Sequence, residues 1–254
     1  YVNEAPRLYL RRTLTANSEL SASLAYRLGS PQAYLNIDAP VLADYRNMFI
    51  AANPDKYTQD LSASVSYRYR NPMKSLFFNL SATYNYRRSH IMSNPFFVGD
   101  MIISSYSDCL SGSDTWYFKT GLSKGLGHSK MVVGFDADAS RATASAMRDN
   151  VVVPYRQLMA GVKTYFKGSI LRWLSVNYEA SYVFSRISIN NEDNHYHSFR
   201  QNVFVTILPL DEIEFTFGME HFLNSFSNSN TANLLLLDAS AVWRLNNKIR
   251  LSLT

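Results

Sequence analysis

Apolar and polar residues alternate along this chain for ten residues at a time, and the connectors between the alternating stretches are short and long by turns. Leu61, Ala63, Val65, Tyr67 and Tyr69 are interleaved with Ser62, Ser64, Ser66, Arg68 and Arg70. After the turn at Asn71, Pro72, Met73 and Lys74, a second row of Leu76, Phe78, Leu80, Ala82, Tyr84 and Tyr86 is interleaved with Asn79, Ser81, Thr83, Asn85 and Arg87. Strand side chains point alternately to opposite faces, so each stretch has one greasy and one wet surface. Strands of soluble domains average about five or six residues, whereas crossing a bilayer at a tilt takes roughly ten.

The rhythm continues to the last residue. Alternating stretches are expected near 6–14, 19–28, 58–70, 74–90, 114–124, 129–142, 151–167, 173–189, 196–208, 212–223 and 232–244, with a last partial one from Lys248. Short connectors fall near 16–18, 71–74, 125–127, 168–171, 209–211 and 245–247, and longer ones near 29–57, 91–113, 143–150, 190–195 and 224–231. This sorting by parity predicts an all-β, antiparallel transmembrane β-barrel, here about 12 strands of a larger barrel, with tight periplasmic turns and large outer loops. A sandwich or propeller has no reason to sort its connectors this way, and no repeat of fixed length emerges.

Composition agrees. Of 254 residues, 46% are hydrophobic, yet the mean hydropathy is −0.17, as expected when half of every strand faces a polar lumen. No apolar run approaches the roughly 18 residues of a membrane helix. The 17 Tyr and 3 Trp suit bilayer interfaces, where one part of the ring is apolar and another hydrogen-bonds. The net charge of +5 comes from 25 basic and 20 acidic side chains spread over nearly every strand, such as Arg27, Arg68, Arg87, Lys119, Lys163 and Arg250. A nucleic-acid surface would gather them on one face with stacking aromatics, so no nucleic-acid partner is expected. Cys109 stands alone, which excludes an internal disulfide framework. Residues 1–254 are expected to be a barrel fragment truncated at both ends, because the chain begins without Met and stops inside a strand.

The final segments carry a family likeness. Gly218, Met219, Glu220, His221, Phe222, Leu223 and Asn224 are followed by Leu234 to Leu237, then Asp238, Ala239, Ser240, Ala241, Val242 and Trp243, and then the strand from Lys248 to Leu253. This order resembles the penultimate barrel region of TonB-dependent outer-membrane receptors, nearest to those with an N-terminal carboxypeptidase-regulatory-like domain. Ala5, Pro6, Arg7 and Leu8 resemble mid-barrel segments of the same receptors. The resemblance implies a barrel of about 22 strands closed by a plug domain that lies, with the closing strands, outside these residues. It also implies import, in a Gram-negative outer membrane, of a nutrient too large for porins. The partners would be outer-membrane lipid, the plug, the TonB complex through an N-terminal segment, and a surface lipoprotein. A plug-free porin or channel and a non-transporting surface β domain are the alternatives.

Candidate sites follow from parity and from the loops. Arg68, Arg70, Glu179, Glu212, Glu214, Glu220, Asp238 and Arg250 are out of phase with their apolar neighbours and are expected to face the lumen. Tyr34, Tyr45, Phe49 and Tyr57 in the first long loop, and Phe96, Phe97 and Tyr106 in the second, are aromatics of the kind that contact carbohydrate or hydrophobic ligands, or that bury one another. His195 and His197, beside Glu192 and Asp193, have metal-ligand spacing only if both share a strand face, and a solvated loop is the plainer reading, so no metal is expected. His90, His128 and His221 sit in no nucleophile context, and Gly125, Leu126 and Gly127 make a hairpin turn rather than a phosphate loop. No catalytic residue and no cofactor is expected.

Overall fold

Strands built from alternating aromatic and β-branched residues pair with their sequence neighbours throughout this protein. In a computed structural model of the chain, the structure describes residues 5–29, 40–50, 58–127, 130–148, 151–190, 192–210, 212–227, 231–246 and 249–253. Among them every regular element is a strand: β1 (Arg7–Thr15), β2 (Ser18–Gly29), β3 (Val41–Leu42), β4 (Asn47–Ile50), β5 (Thr58–Asn71), β6 (Leu76–Val98), β7 (Met101–Gly125), β8 (Val132–Arg148), β9 (Val151–Leu171), β10 (Leu174–Ile189), β11 (Glu192–Leu210), β12 (Ile213–Phe226), β13 (Thr231–Asn246) and β14 (Ile249–Leu253). All except β3 and β4 lie in one antiparallel meander, in the order β1-β2-β5-β6-β7-β8-β9-β10-β11-β12-β13-β14. β3 and β4 form a hairpin whose second strand runs parallel beside β7, Asn47 to Ile50 against Ile102 to Ser105.

Register carries each face across the whole sheet. Phe118 pairs with Ala139, Ala139 with Ala160, and Ala160 with Phe184, all on one face. One residue along, Lys119, Asp138, Gly161 and Val183 form the matching rung on the other. The apolar face continues through Val205, Phe217 and Ala239 on one side and through Ala82, Val65 and Ala22 on the other. Among the described residues nothing covers it: Phe118 is 47% exposed and Leu237 is 72% exposed, while the buried apolar side chains are Met92, Ile103, Met147 and Val242. A soluble sandwich would lay a second sheet over such a surface. Here the complement is hydrocarbon, and the fold is that of an outer-membrane β-barrel wall.

Four mid-strand glycines identify the concave face. Gly121, Gly134, Gly161 and Gly218 all lie on the polar face, and a Cβ at each would fall 2.0–2.9 Å from a side-chain atom of Asp136, Tyr165, Asp138 or Asp238. Side chains converge on the inside of a curved sheet and spread on the outside, so only the inner rows need positions without a side chain. The polar face is the inside.

The expected boundaries hold near the membrane and need correction above it. The stretch 91–113, expected as a loop, is the upper part of β6 and β7, paired from Ile91 with Asp108 to Val98 with Met101 and closed at Gly99, whose φ is 59°. A register shift between Ser89 and Ile91 breaks the alternation there, and strands clear of lipid have no need of an apolar row. Likewise β8 extends through most of 143–150, to Arg148, and β11 begins at Glu192. The return expected at 168–171 lies at Arg172 and Trp173 instead. Among the described residues, the stretches 91–113, 143–150 and 190–195 are therefore largely strand, projecting beyond the bilayer.

Candidate functional site

Two surfaces clear of lipid are available for function: the inner wall and the outward-projecting hairpins. The inner wall is wet and internally paired. Ser21 and Ser66 share a hydrogen bond of 2.7 Å, Ser23 and Ser64 one of 2.8 Å, and Ser62 donates to Asn85 Oδ1 at 2.8 Å. Ion pairs cross between neighbouring strands: Arg11 with Glu19 at 2.5 Å, Arg87 with Asp60 at 3.0 Å, Lys163 with Glu179 at 2.8 Å, Arg200 with Glu220 at 3.5 Å, and Arg244 with Glu214 at 2.6 Å.

The residues expected to face the lumen fall as follows. Arg68 pairs in register with Asn79 and Arg70 with Phe77, in the inner rows of β5. Glu179, Glu214 and Glu220 are held by Lys163, Arg244 and Arg200. Asp238 stands opposite Gly218, whose missing side chain gives its carboxylate room. Glu212 is an exposed turn residue whose carbonyl accepts the Arg244 backbone N–H at 2.8 Å. Arg250 is opposite Arg244 in register, and its side chain lies outside the described residues. Sequence parity did not identify the basic partners of the acidic rows. The register offset between adjacent strands, once known, selects them.

The outward hairpins bring distant aromatics together. Phe49 on β4 lies against Tyr106 on β7, ring centroids 6.3 Å apart, while Met92 and Ile103 are buried on the other face of the hairpin. Tyr45 is 80% exposed, with the Arg46 guanidinium 5.2 Å over its ring. Phe96 is half-buried, and Phe97, 76% exposed, stands near the tip of the β6–β7 hairpin. Tyr34 and Tyr57 lie outside the described residues. The β3–β4 turn is pinned by Asp44, which accepts from the Asn47 side chain at 2.7 Å and from the backbone N–H groups of Arg46 and Asn47. These bonds, the Asn47 side chain foremost, hold its carboxyl below the ordinary carboxylate range.

His195 and His197 do share a face, but it is the outer one, opposite Arg186 and Phe184. His197 Nδ1 bonds the Tyr182 hydroxyl at 2.7 Å and its ring packs on Phe184. Among the described residues no three His, Cys, Asp or Glu side chains gather as metal ligands. His128 lies outside the described residues.

Neither a protein-family profile nor a curated protein sequence matches this chain. Solved structures do. The siderophore receptor PiuA from Acinetobacter baumannii superposes with a TM-score of 0.59 at 7% identity, over 96% of this chain and 46% of that one. The ferric yersiniabactin uptake receptor FyuA from Yersinia pestis gives 0.55 at 10% identity, over 96% and 43%. The ferric-catecholate import receptor Fiu from E. coli K12, in its open form, gives 0.56 at 6% identity, over 96% and 50%. The likeness is one of fold: this chain has the architecture of part of a large outer-membrane barrel and spans about half the length of the structures it matches.

Proposed function

We propose that these strands are part of the barrel wall of a TonB-dependent receptor that imports a nutrient too large for porins. The observation that carries this is the open meander. The edge strands β1 and β14 are paired on one side only, to β2 and β13. In hydrocarbon each unpaired backbone group costs several kcal/mol, so on this reading further strands complete the wall. The superposition over about half of three receptors supports a completed barrel of their size. An opening that wide would leak unless it were filled, and the inner wall, with its serine ladders and ion pairs, suits packing against a polar plug domain. The TonB complex would act on that plug, and the outward aromatics Tyr45, Phe49, Phe96, Phe97 and Tyr106 would meet the nutrient or a surface lipoprotein first.

A liposome-swelling assay on the full-length protein tests this reading. Reconstituted vesicles diluted into isotonic arabinose should not swell, because a plugged barrel passes no small sugar. Rapid swelling would identify an open pore and replace the receptor reading with that of a porin.

A further inference from the structure

The outer face should be uniformly apolar up to the headgroups, and on three consecutive strands its apolar row ends at the same residue type. The row Val133, Phe135, Ala137, Ala139 on β8 ends at Arg141. On β9, Phe166, Thr164, Val162, Ala160, Leu158 ends at Arg156, and on β10, Val176, Tyr178, Ala180, Tyr182, Phe184 ends at Arg186. Register gathers them: Arg141 and Arg186 flank Leu158 in one rung, and Arg156 stands one rung higher, opposite Ser188. Strand spacing places the outer two backbones about 10 Å apart, well within the reach of guanidinium groups converging on one anion. From Phe166 to Arg156 a tilted strand rises roughly 25 Å, the height of the apolar band, so the cluster sits at the outer-leaflet headgroups.

The cluster surrounds a cleft of about 350 Å³ lined by Arg141, Arg156, Gln157, Leu158, Arg186 and Ser188. Asp193 binds Arg186 from β11. Asp114 is on the same face, in register with Thr143, but among the described residues neither it nor any other carboxylate pairs with Arg141 or Arg156. Arginines that only marked the water boundary would be scattered; these are adjacent and short of counter-charge. Directly below them the surface is a trough. Ala139 and Ala160 form its floor between the aromatic walls Phe118 and Phe184, and one rung lower Ala137 and Val162 lie beside a single aromatic, Tyr182, with Thr120 on the other side.

We propose that Arg141, Arg156 and Arg186 form a site on the outer wall for the phosphate-bearing saccharide headgroup of an outer-leaflet glycolipid, with its acyl chains lying in the alanine trough. Guanidinium groups bind phosphate through paired, charge-assisted hydrogen bonds. The trough adds selection for a lipid over a free anion, since chains lying between the aromatic walls lose apolar surface to them. The site rests on the lipid-facing fold and not on the import reading, so a porin with this wall would carry it equally.

The full-length protein, stripped of lipid in detergent, can be titrated with rough lipopolysaccharide and the bound copies counted by native mass spectrometry. Replacing Arg141→Gln and Arg156→Gln together should weaken binding by about tenfold. Removing the same charge from the inner wall, Arg27→Gln with Lys119→Gln, should leave it unchanged, and millimolar inorganic phosphate should not displace the lipid. Equal losses in the two double variants would show general charge attraction and overturn the site, as would an unaffected Arg141/Arg156 variant. Displacement by inorganic phosphate would show a free-anion site instead of a lipid site. If the arginine variant does not give the heat-dependent gel shift of a folded barrel, Ala160→Trp takes its place. It fills the trough and keeps every charge, and it must show the same loss for the proposal to stand.

Discussion

The rung formed by Phe118, Ala139, Ala160 and Phe184 offers nothing but hydrocarbon and aromatic surface, while one residue further along the same strands Lys119, Asp138, Gly161 and Val183 form a charged, crowded row. The two rungs share backbone, hydrogen bonds and sequence neighbourhood and differ only in which way the side chains point. Selection on the outer rung is by solvent, since almost any apolar shape satisfies lipid. Selection on the inner rung is by fit, because side chains converge there and each charge needs a partner.

Substitutions of opposite parity test that difference most strongly. Val162→Arg, at the middle of the β9 outer row, should cost about 2–4 kcal/mol and reduce the assembled fraction seen as a heat-modifiable gel band. Ser140→Arg, on the inner row of neighbouring β8, should assemble like the parent. Equal behaviour of the two would mean that lipid does not wet the row assigned to it.

A smaller effect separates crowding from solvent. At Gly218 an added Cβ would lie 2.0 Å from Asp238 Oδ1, whereas at Gly112, above the outer rows, the nearest atom is the Tyr86 hydroxyl at 3.9 Å. Gly218→Val should therefore destabilise the barrel by about 1–3 kcal/mol in denaturant titrations, as overpacking does, and Gly112→Val should not. Adding Asp238→Ala to Gly218→Val should recover most of the loss. Failure of that rescue would place the strain in the backbone rather than in side-chain convergence.

Sequence carried the faces but not the heights. Leu61 to Tyr86 alternate because lipid acts on every second residue, and that pressure writes the period directly into the chain. Above the membrane the pressure stops, so residues 91–113 read as a loop although they continue β6 and β7 past the shift at Ser89. Pairing partners were hidden for another reason. Which lysine or arginine meets Glu179, Glu214 or Glu220 depends on inter-strand offset, and nothing local encodes it. Arg141, Arg156 and Arg186 were overlooked on the same ground, although extending the outer parity of Val133 and Phe135 by three steps would have placed Arg141 on the lipid face.

The smallest expected effect lies outside the bilayer altogether, where solvent acts on both faces of the β3–β4 hairpin. Its turn depends on the ionised Asp44, whose oxygens accept from Asn47 and Arg46. Because these bonds lower the folded-state pKa, the contribution is complete above the unfolded value of about 3.9 and is lost as pH falls through the folded one. The Ala43 amide, which donates to the Asn47 carbonyl at 2.8 Å, should keep its hydrogen-exchange protection through the ordinary carboxylate range and lose it only as pH falls below that range. Amides of β9 and β10 should stay protected throughout. Asp44→Asn should abolish the pH dependence while keeping the side-chain acceptor. If the hairpin and the membrane strands instead lost protection together, the contrast between a turn held by one carboxylate and a wall held by lipid would fail.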